Sequence, residues 1–226
     1  MMTALPFKTV AFDLDGTIAD TAPDLAAALN AALLSLGRVE LPLDRVRTMI
    51  GHGTHALLRN GLSATGGVDD ALMEAAYPVL LDHYRAHICD MTTPYPGVEA
   101  AWDRLAEQGI AIALCTNKPT ELTMRLIEAL GWQHRFAAVV AGDTLAVSKP
   151  DPAPLHLAIE RAGGGAAAAA FVGDSIVDVQ TAKAAGMPVI AVSFGFADRP
   201  ANELGADAVI DSFAELDTAL AGLVPA

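Results

Sequence analysis

The sequence predicts an α/β fold: a Rossmann-like parallel sheet core with an inserted α-helical cap domain. Three observations predict it. From Val98 onward, apolar stretches of strand length alternate with amphipathic helical stretches. The strand stretches are apolar throughout, the pattern of a parallel sheet covered on both faces. One long block, Thr21 to about Cys89, carries only helical patterns and sits between the first and second strands.

The first strand is Thr9 to Phe12. "TAPDLAAALNAALLSLG" follows, with a hydroxyl cap at Thr21, an early proline and a stop at Gly37. "PLDRVRTMI", "HALLRNGL" and "DDALMEAAYPVLLDHYRAHI" are the next helices, and Pro78 is expected to kink or split the last. "TTPYPG" is a proline-rich hinge. Four helix–strand units come next: "VEAAWDRLAEQG" with "IAIALC", "TELTMRLIEALG" with "FAAVVAG", "PAPLHLAIERAG" with "AAAAAFV", and "DVQTAKAAG" with "PVIAVSF". "ADAVI" is a short final strand before a C-terminal helix. The division expected is a catalytic core of residues 1–19 and 91–226 and a helical cap of residues 20–90. "GGGAAAAA" is low in complexity, and its glycines end a helix before a strand.

With 226 residues, 53% of them hydrophobic, the chain covers a sizeable core, which excludes disorder. The net charge is −13 and no basic face is evident, so nucleic acid is not an expected partner. An anionic ligand therefore needs a site that is locally basic or holds a metal. Cys89 and Cys115 lack metal-type spacing and read as small buried hydrophobes in a reducing compartment. The N-terminus lacks the pattern of a signal peptide, and no apolar run approaches the ~18 residues that span a bilayer. A cytoplasmic protein without a membrane partner, monomer or homodimer, is the expectation.

Chemistry collects at four strand ends: "FDLDGT", "LCTNKP", "SKPDP" and "FVGDSIVD". In a parallel sheet these ends share one edge, where ligands bind. Asp13, Asp15, Asp174 and Asp178 therefore converge with Lys149, Thr116, Asn117 and Ser175. Such a cluster needs a hard divalent cation, and Mg²⁺ takes carboxylate and carbonyl oxygens together with water and a substrate phosphate. With Mg²⁺ and Lys149 the site becomes a local anion receptor.

The ordered set "DLDGT", "TN", "K" and "GDSIVD" resembles the haloacid dehalogenase superfamily in its phosphatase branch, over about Phe7 to Phe213. The resemblance implies roles. Asp13 matches the nucleophile that forms an aspartyl-phosphate. Asp15 matches the general acid/base. Asp13, the backbone carbonyl of Asp15 and Asp174 match the Mg²⁺ ligands. Asp178 matches an acid that orients metal-bound water or Lys149, and Lys149 the cation that balances the nucleophile and phosphoryl oxygens. Thr116 and Asn117 match phosphate-binding groups. An acid at position 15 sets this chain apart from family members that dehalogenate. "TAPDLAAALNAALLSLG" contains no lysine, unlike the corresponding segment of the phosphonate-hydrolysing branch.

Several stretches, among them "DGTIADTAPDLAAALN" and "VGDSIVDVQTAKAAGMP", resemble the phosphoglycolate phosphatase subgroup. Ile18-Ala19 departs from the bulkier pair common there. The resemblance implies a small phosphate ester as substrate, with the loop Gly51-His52-Gly53 reaching the ligand's carboxylate. A sugar phosphate, a nucleoside monophosphate, pyrophosphate, or a β-phosphoglucomutase-like reaction are the alternatives. A regulatory module on an inactive phosphatase fold is the non-enzyme reading. His83 and His87, four apart, read as surface histidines, and Trp102 and Trp132 as helix-packing residues.

Overall fold

The computed structural model describes residues 5–197 and 199–224. The outermost expected core boundaries, at residues 1 and 226, lie outside the described residues, as does position 198.

The first strand, β1 (Thr9–Phe12), is buried along its whole length. A two-residue strand, β2 (Ala19–Asp20), leads into four helices: α1 (Ala22–Ser35), α2 (Leu43–Arg47), α3 (Thr54–Ala64) and α4 (Asp70–Ala86). The chain returns through β3 (Thr93–Pro94), which pairs antiparallel with β2. The alternating part then runs α5 (Val98–Glu107), β4 (Ala111–Cys115), α6 (Thr120–Ala129), β5 (Ala138–Val140) and α7 (Ala153–Arg161). It ends with β6 (Ala169–Gly173), α8 (Ile176–Ala184), β7 (Val189–Val192), β8 (Ala208–Ile210) and α9 (Leu216–Gly222).

Six strands form one parallel sheet in the order β5-β4-β1-β6-β7-β8. The two strands flanking β1 supply the next pieces of chemistry, so the carboxyl ends of β1, β4 and β6 are side by side. Two apolar layers cover the sheet. Phe12, Trp102 and Phe213 belong to one, and Ala11, Phe171 and Leu155 to the other. Trp102 and Trp132 are fully buried, with ring centroids 4.8 Å apart, as packing residues should be. The inserted helices bury their own cluster, built on Leu25, Leu29, Leu58 and Tyr84.

Three local expectations change. Pro78 lies inside α4, which runs unbroken from Asp70 to Ala86. The ring is exposed, and the buried stripe Met73, Ala76, Leu80, Tyr84 holds both halves against α1. That packing outweighs one lost backbone bond. The alanine run before Phe171 starts as a short 3₁₀ turn, Ala166–Ala168, so the strand begins only at Ala169. The proline-rich hinge contains a strand: Pro94 and Thr93 pair with Ala19 and Asp20. Cys115 is buried as expected, whereas Cys89 is only half-buried, and both are free thiols. No helix of the described residues is long and apolar enough to cross a membrane.

Asp24, in the first turn of α1, fastens this junction. Its buried carboxylate accepts from the backbone N–H groups of Met91 and Thr92 and from the Thr92 hydroxyl, at 3.1, 2.8 and 2.7 Å. These bonds tie the outgoing strand to the start of the returning one. Asp24→Ala leaves the donors without an acceptor. The expected result is a loss of about 2–3 kcal/mol in urea unfolding, with no change in helix content by circular dichroism.

Candidate active site

Asp13 follows β1 directly, and its backbone N–H still bonds the carbonyl of Val172 on β6. The chain then turns tightly: Ile18 N–H reaches the Leu14 carbonyl, and Gly16 N–H the Ala19 carbonyl. Gly16 has φ +83°, and a β-carbon there would strike Asp174 Oδ2 and lie 2.8 Å from the Phe196 ring. Glycine is required on both counts. The turn sends the side chains of Asp13 and Asp15 to different neighbours.

Asp13 faces Lys149, whose ammonium lies 2.9 Å from Oδ1. That oxygen has no directed hydrogen bond, so the contact is ionic. Lys149 also donates to Asp178 Oδ1 at 2.6 Å. Burial alone would lower the Lys149 ammonium, but Asp13 and Asp178 outweigh it and keep the group charged. Asp178 is fully occupied. Its second oxygen accepts from the Ser175 hydroxyl at 2.6 Å and from the backbone N–H of Ser175 at 3.1 Å, in a capping box at the start of α8. Asp178 thus anchors the Lys149 ammonium.

Asp15 faces a second lysine. Lys118 Nζ lies 2.9 and 3.2 Å from its two oxygens and donates to the Tyr84 hydroxyl of α4 at 2.7 Å. The Lys118 side chain is 2% exposed. Burial, which would lower it, is outweighed by Asp15 and Tyr84, so it stays charged. Thr21 donates to Asp15 Oδ1 at 2.7 Å and makes no cap bond to α1, which corrects its reading as a helix cap.

Asp174 completes a triad with Asp13 and Asp178, their ligand oxygens all within 4.8 Å of one another. It accepts from Thr17 at 3.0 Å and from the Phe196 N–H at 2.7 Å. Burial pushes its carboxyl well above the ordinary range, with Asp178 and Asp13 adding to the effect. Burial likewise raises Asp13 to about 6; Lys149 opposes this, while Asp178 and Asp15 reinforce it. An all-oxygen set whose charges resist burial fits a hard divalent cation.

Thr116 is buried, and its oxygen accepts from the Lys118 N–H, which leaves the hydroxyl proton to give. Asn117 uses its amide on the Lys149 backbone, accepting from N–H at 2.9 Å and donating to the carbonyl at 3.0 Å. That side chain orients the lysine loop. Asp13, Asp15, Thr116, Asn117 and Lys118 share one cavity with Gly51 and Gly53. Its volume is about 30 Å³. His52 does not line it: the residue is exposed, on a neighbouring cleft with Asn60 and Ser175. The glycines that flank His52 in the chain, at φ +118° and +83°, line the cavity. His83 and His87 stack at 4.6 Å and His87 pairs with Asp90, but neither joins a metal-type cluster among the described residues.

Lys118 and Tyr84 are the residues that sequence reasoning missed. Lys118 carried a signal, since it stands in "TNKP" just past the end of β4, the placement that marked Lys149. Tyr84 carried none, because its spacing from Leu80 and Ala76 reads as core.

Fold and site together place two carboxylates, each facing its own lysine, at the edge of an α/β sheet beneath inserted helices. The chain belongs to the haloacid dehalogenase-like hydrolases, whose family model matches residues 10–192. Among curated relatives, the phosphoglycolate phosphatase of Caulobacter vibrioides is 41% identical over 93% of this chain and 90% of its own length. That of Mesorhizobium japonicum is 42% identical over 94% of each. Among solved structures, a protein described as a predicted phosphoglycolate phosphatase from Haemophilus somnus superposes with TM-score 0.89 at 29% identity, covering 95% of this chain and 98% of that one.

The electrostatics predict a separation of stability from turnover. With Asp13 raised from 3.8 to about 6 in the metal-free fold, its contribution is fully present below pH 3.8 and lost as pH rises through 6. Asp13→Asn removes that loss. In chelator the variant is expected to melt higher than wild type at pH 7 and match it at pH 4, and with Mg²⁺ restored it is expected to show no turnover while wild type turns over. Thermal melts across this range check it, and a variant that melts lower at pH 7 contradicts burial as the dominant effect on Asp13.

Proposed function

We propose that the protein is an Mg²⁺-dependent phosphatase that hydrolyses 2-phosphoglycolate to glycolate and phosphate through an aspartyl-phosphate on Asp13. The observation that carries this reading is the segregation of two carboxylates on two lysines in one cavity. A nucleophile and a proton donor must act on opposite sides of the phosphorus, and a shared counter-ion would couple them. The names and the 41–42% identity of the relatives support the substrate.

In the first half-reaction an Asp13 oxygen attacks phosphorus and the bond to the leaving oxygen breaks. Asp15 gives that oxygen its proton. In the second half Asp15 takes a proton from water, whose oxygen attacks the same phosphorus and frees Asp13. Lys149 balances the charge on Asp13 and the phosphoryl oxygens, and the Thr116 hydroxyl donates to one of them. Asp13 and Asp174 would hold Mg²⁺, together with the Asp15 carbonyl, and the ion would neutralise phosphoryl charge next to the carboxylates. Ser175 and Asp178 would keep Lys149 in place.

Residues 20–90 act as a cap in this scheme. The cavity has walls from both the inserted helices and the sheet edge. In this scheme the helices move to admit an ester and close over it, and a small closed chamber suits a two-carbon acid better than a nucleotide. The half-buried and buried free thiols suit a reducing cytoplasm.

The test is a substrate panel. 2-Phosphoglycolate is expected to give the highest kcat/KM against glucose phosphates, nucleoside monophosphates and pyrophosphate. Activity should require Mg²⁺ and be inhibited by Ca²⁺, whose longer bonds and higher coordination number misplace Asp13. A sugar phosphate at the head of the panel, or equal rates with either ion, would sink the reading.

A further inference from the structure

The lysine paired with Asp15 has no part in the reaction as described so far. Lys118 is the only cationic side chain lining the cavity among the described residues. Lys149 does not line it and is committed to Asp13 and Asp178, with Phe171 beneath it at 5.3 Å. Positive charge is thus divided along the site. Lys149 serves the end where phosphorus is attacked, and Lys118 serves the end where the alcohol leaves.

We propose that Lys118 recognises the negative charge on the leaving alcohol, the carboxylate of an acid ester, and so sets the specificity of the enzyme. The proposal rests on the phosphatase reading above and deepens it. Its geometry follows from Asp15. To protonate the leaving oxygen, Asp15 must lie against it, and the Lys118 ammonium is 2.9 Å from Asp15. In a two-carbon acid ester the carboxylate is one carbon removed from that oxygen. The carboxylate therefore falls within reach of a cation that already contacts the acid.

Donor counting agrees. An ammonium has three N–H bonds. The two Asp15 oxygens and the Tyr84 hydroxyl accept all three, and the donor on the longer Asp15 contact is released once that oxygen carries the proton to be delivered. Charge counting agrees as well. When Asp15 carries the proton that it will deliver, Lys118 has lost its anionic partner inside a buried site. A substrate carboxylate replaces it, whereas a neutral ester does not. Tyr84 makes the recognition sensitive to cap position. Its hydroxyl fixes the ammonium from α4, and the ammonium also lies 4.6 Å from the Tyr84 ring centroid. Lys118 is therefore held from the inserted helices as well as from Asp15. Gly51 and Gly53 line the same cavity from the cap side, where backbone approaches without a side chain between. His52 lies on the neighbouring cleft.

The experiment compares 2-phosphoglycolate with ethyl phosphate, an ester of the same chain length with a neutral leaving group. Wild type, Lys118→Met and Tyr84→Phe are assayed on both with saturating Mg²⁺. Lys118→Met is expected to slow both esters, because Asp15 loses a partner. The ratio of kcat/KM values should in addition fall by roughly tenfold to a hundredfold against phosphoglycolate. Tyr84→Phe keeps the cation but loosens it, so the ratio should fall in the same direction by a smaller factor. If wild type shows no preference for phosphoglycolate, the substrate reading and the Lys118 role both fail. If wild type shows the preference and Lys118→Met retains it, the Lys118 role alone is overturned. Should Lys118→Met not fold, Tyr84→Phe decides, and an unchanged ratio in that variant overturns the proposal.

Discussion

Asp13 and Asp15 are two residues apart and largely out of water, and each faces a different lysine. Buried charges without partners are costly, and two carboxylates sharing one cation would compete for it. Gly16 starts the separation by turning the chain where a β-carbon would strike Asp174. Strand order completes it. Lys118 follows β4, next to β1 in the sheet, and Lys149 arrives on the segment after β5. Asn117 links the two arrangements. It precedes Lys118 in the chain, and its side chain makes a pair of hydrogen bonds with the Lys149 backbone. One amide thus ties the Lys149 backbone to the residue before Lys118.

The inserted helices enter the same network. Thr21 touches Asp15 as the chain leaves the core, and Tyr84 touches Lys118 from α4. Arg47 on α2 makes a paired contact with Asp20 of the outgoing strand at 3.0 and 2.7 Å and lies 5.4 Å from the Phe196 ring centroid. The Phe196 N–H is in turn a donor to Asp174. Asp15 and Asp174 thus each have a route of contacts to the helical insertion. Movement of the insertion would be felt at Asp15 through a hydroxyl and a lysine, and at Asp174 through an arginine and an aromatic ring.

The sheet was legible because its strands are apolar on both faces, and the four clusters of polar residues at strand ends followed from the parallel order. Asp13, Asp15, Lys149, Asp174 and Asp178 could be read this way, since a charge set straight after a buried strand is costly to the fold unless a site uses it. The junction strands were not legible. Two residues are too few for a periodic signal, and prolines at the return pointed to a loop. The use of Thr21 was hidden because a hydroxyl before a helix reads as a local cap that requires no distant partner. Lys118 was hidden by its neighbours, Thr116 and Asn117, which absorbed the chemical reading of that stretch. Tyr84 shows the limit most clearly. Its spacing along α4 is that of a core residue, and it is one; only the three-dimensional arrangement places its hydroxyl against a lysine from the far side of the junction.

The proposed division of labour between Asp13 and Asp15 is tested most directly at the covalent step, which separates the two residues. Enzyme mixed with 2-phosphoglycolate and Mg²⁺ can be quenched in acid within a single turnover, digested, and mapped by mass spectrometry. The expected result is a phosphoryl group on the Asp13 carboxylate, none on Asp15, and its disappearance as phosphate is released. A phosphoryl group on Asp15, or phosphate formed in the first turnover with no covalent species on either residue, would contradict that division.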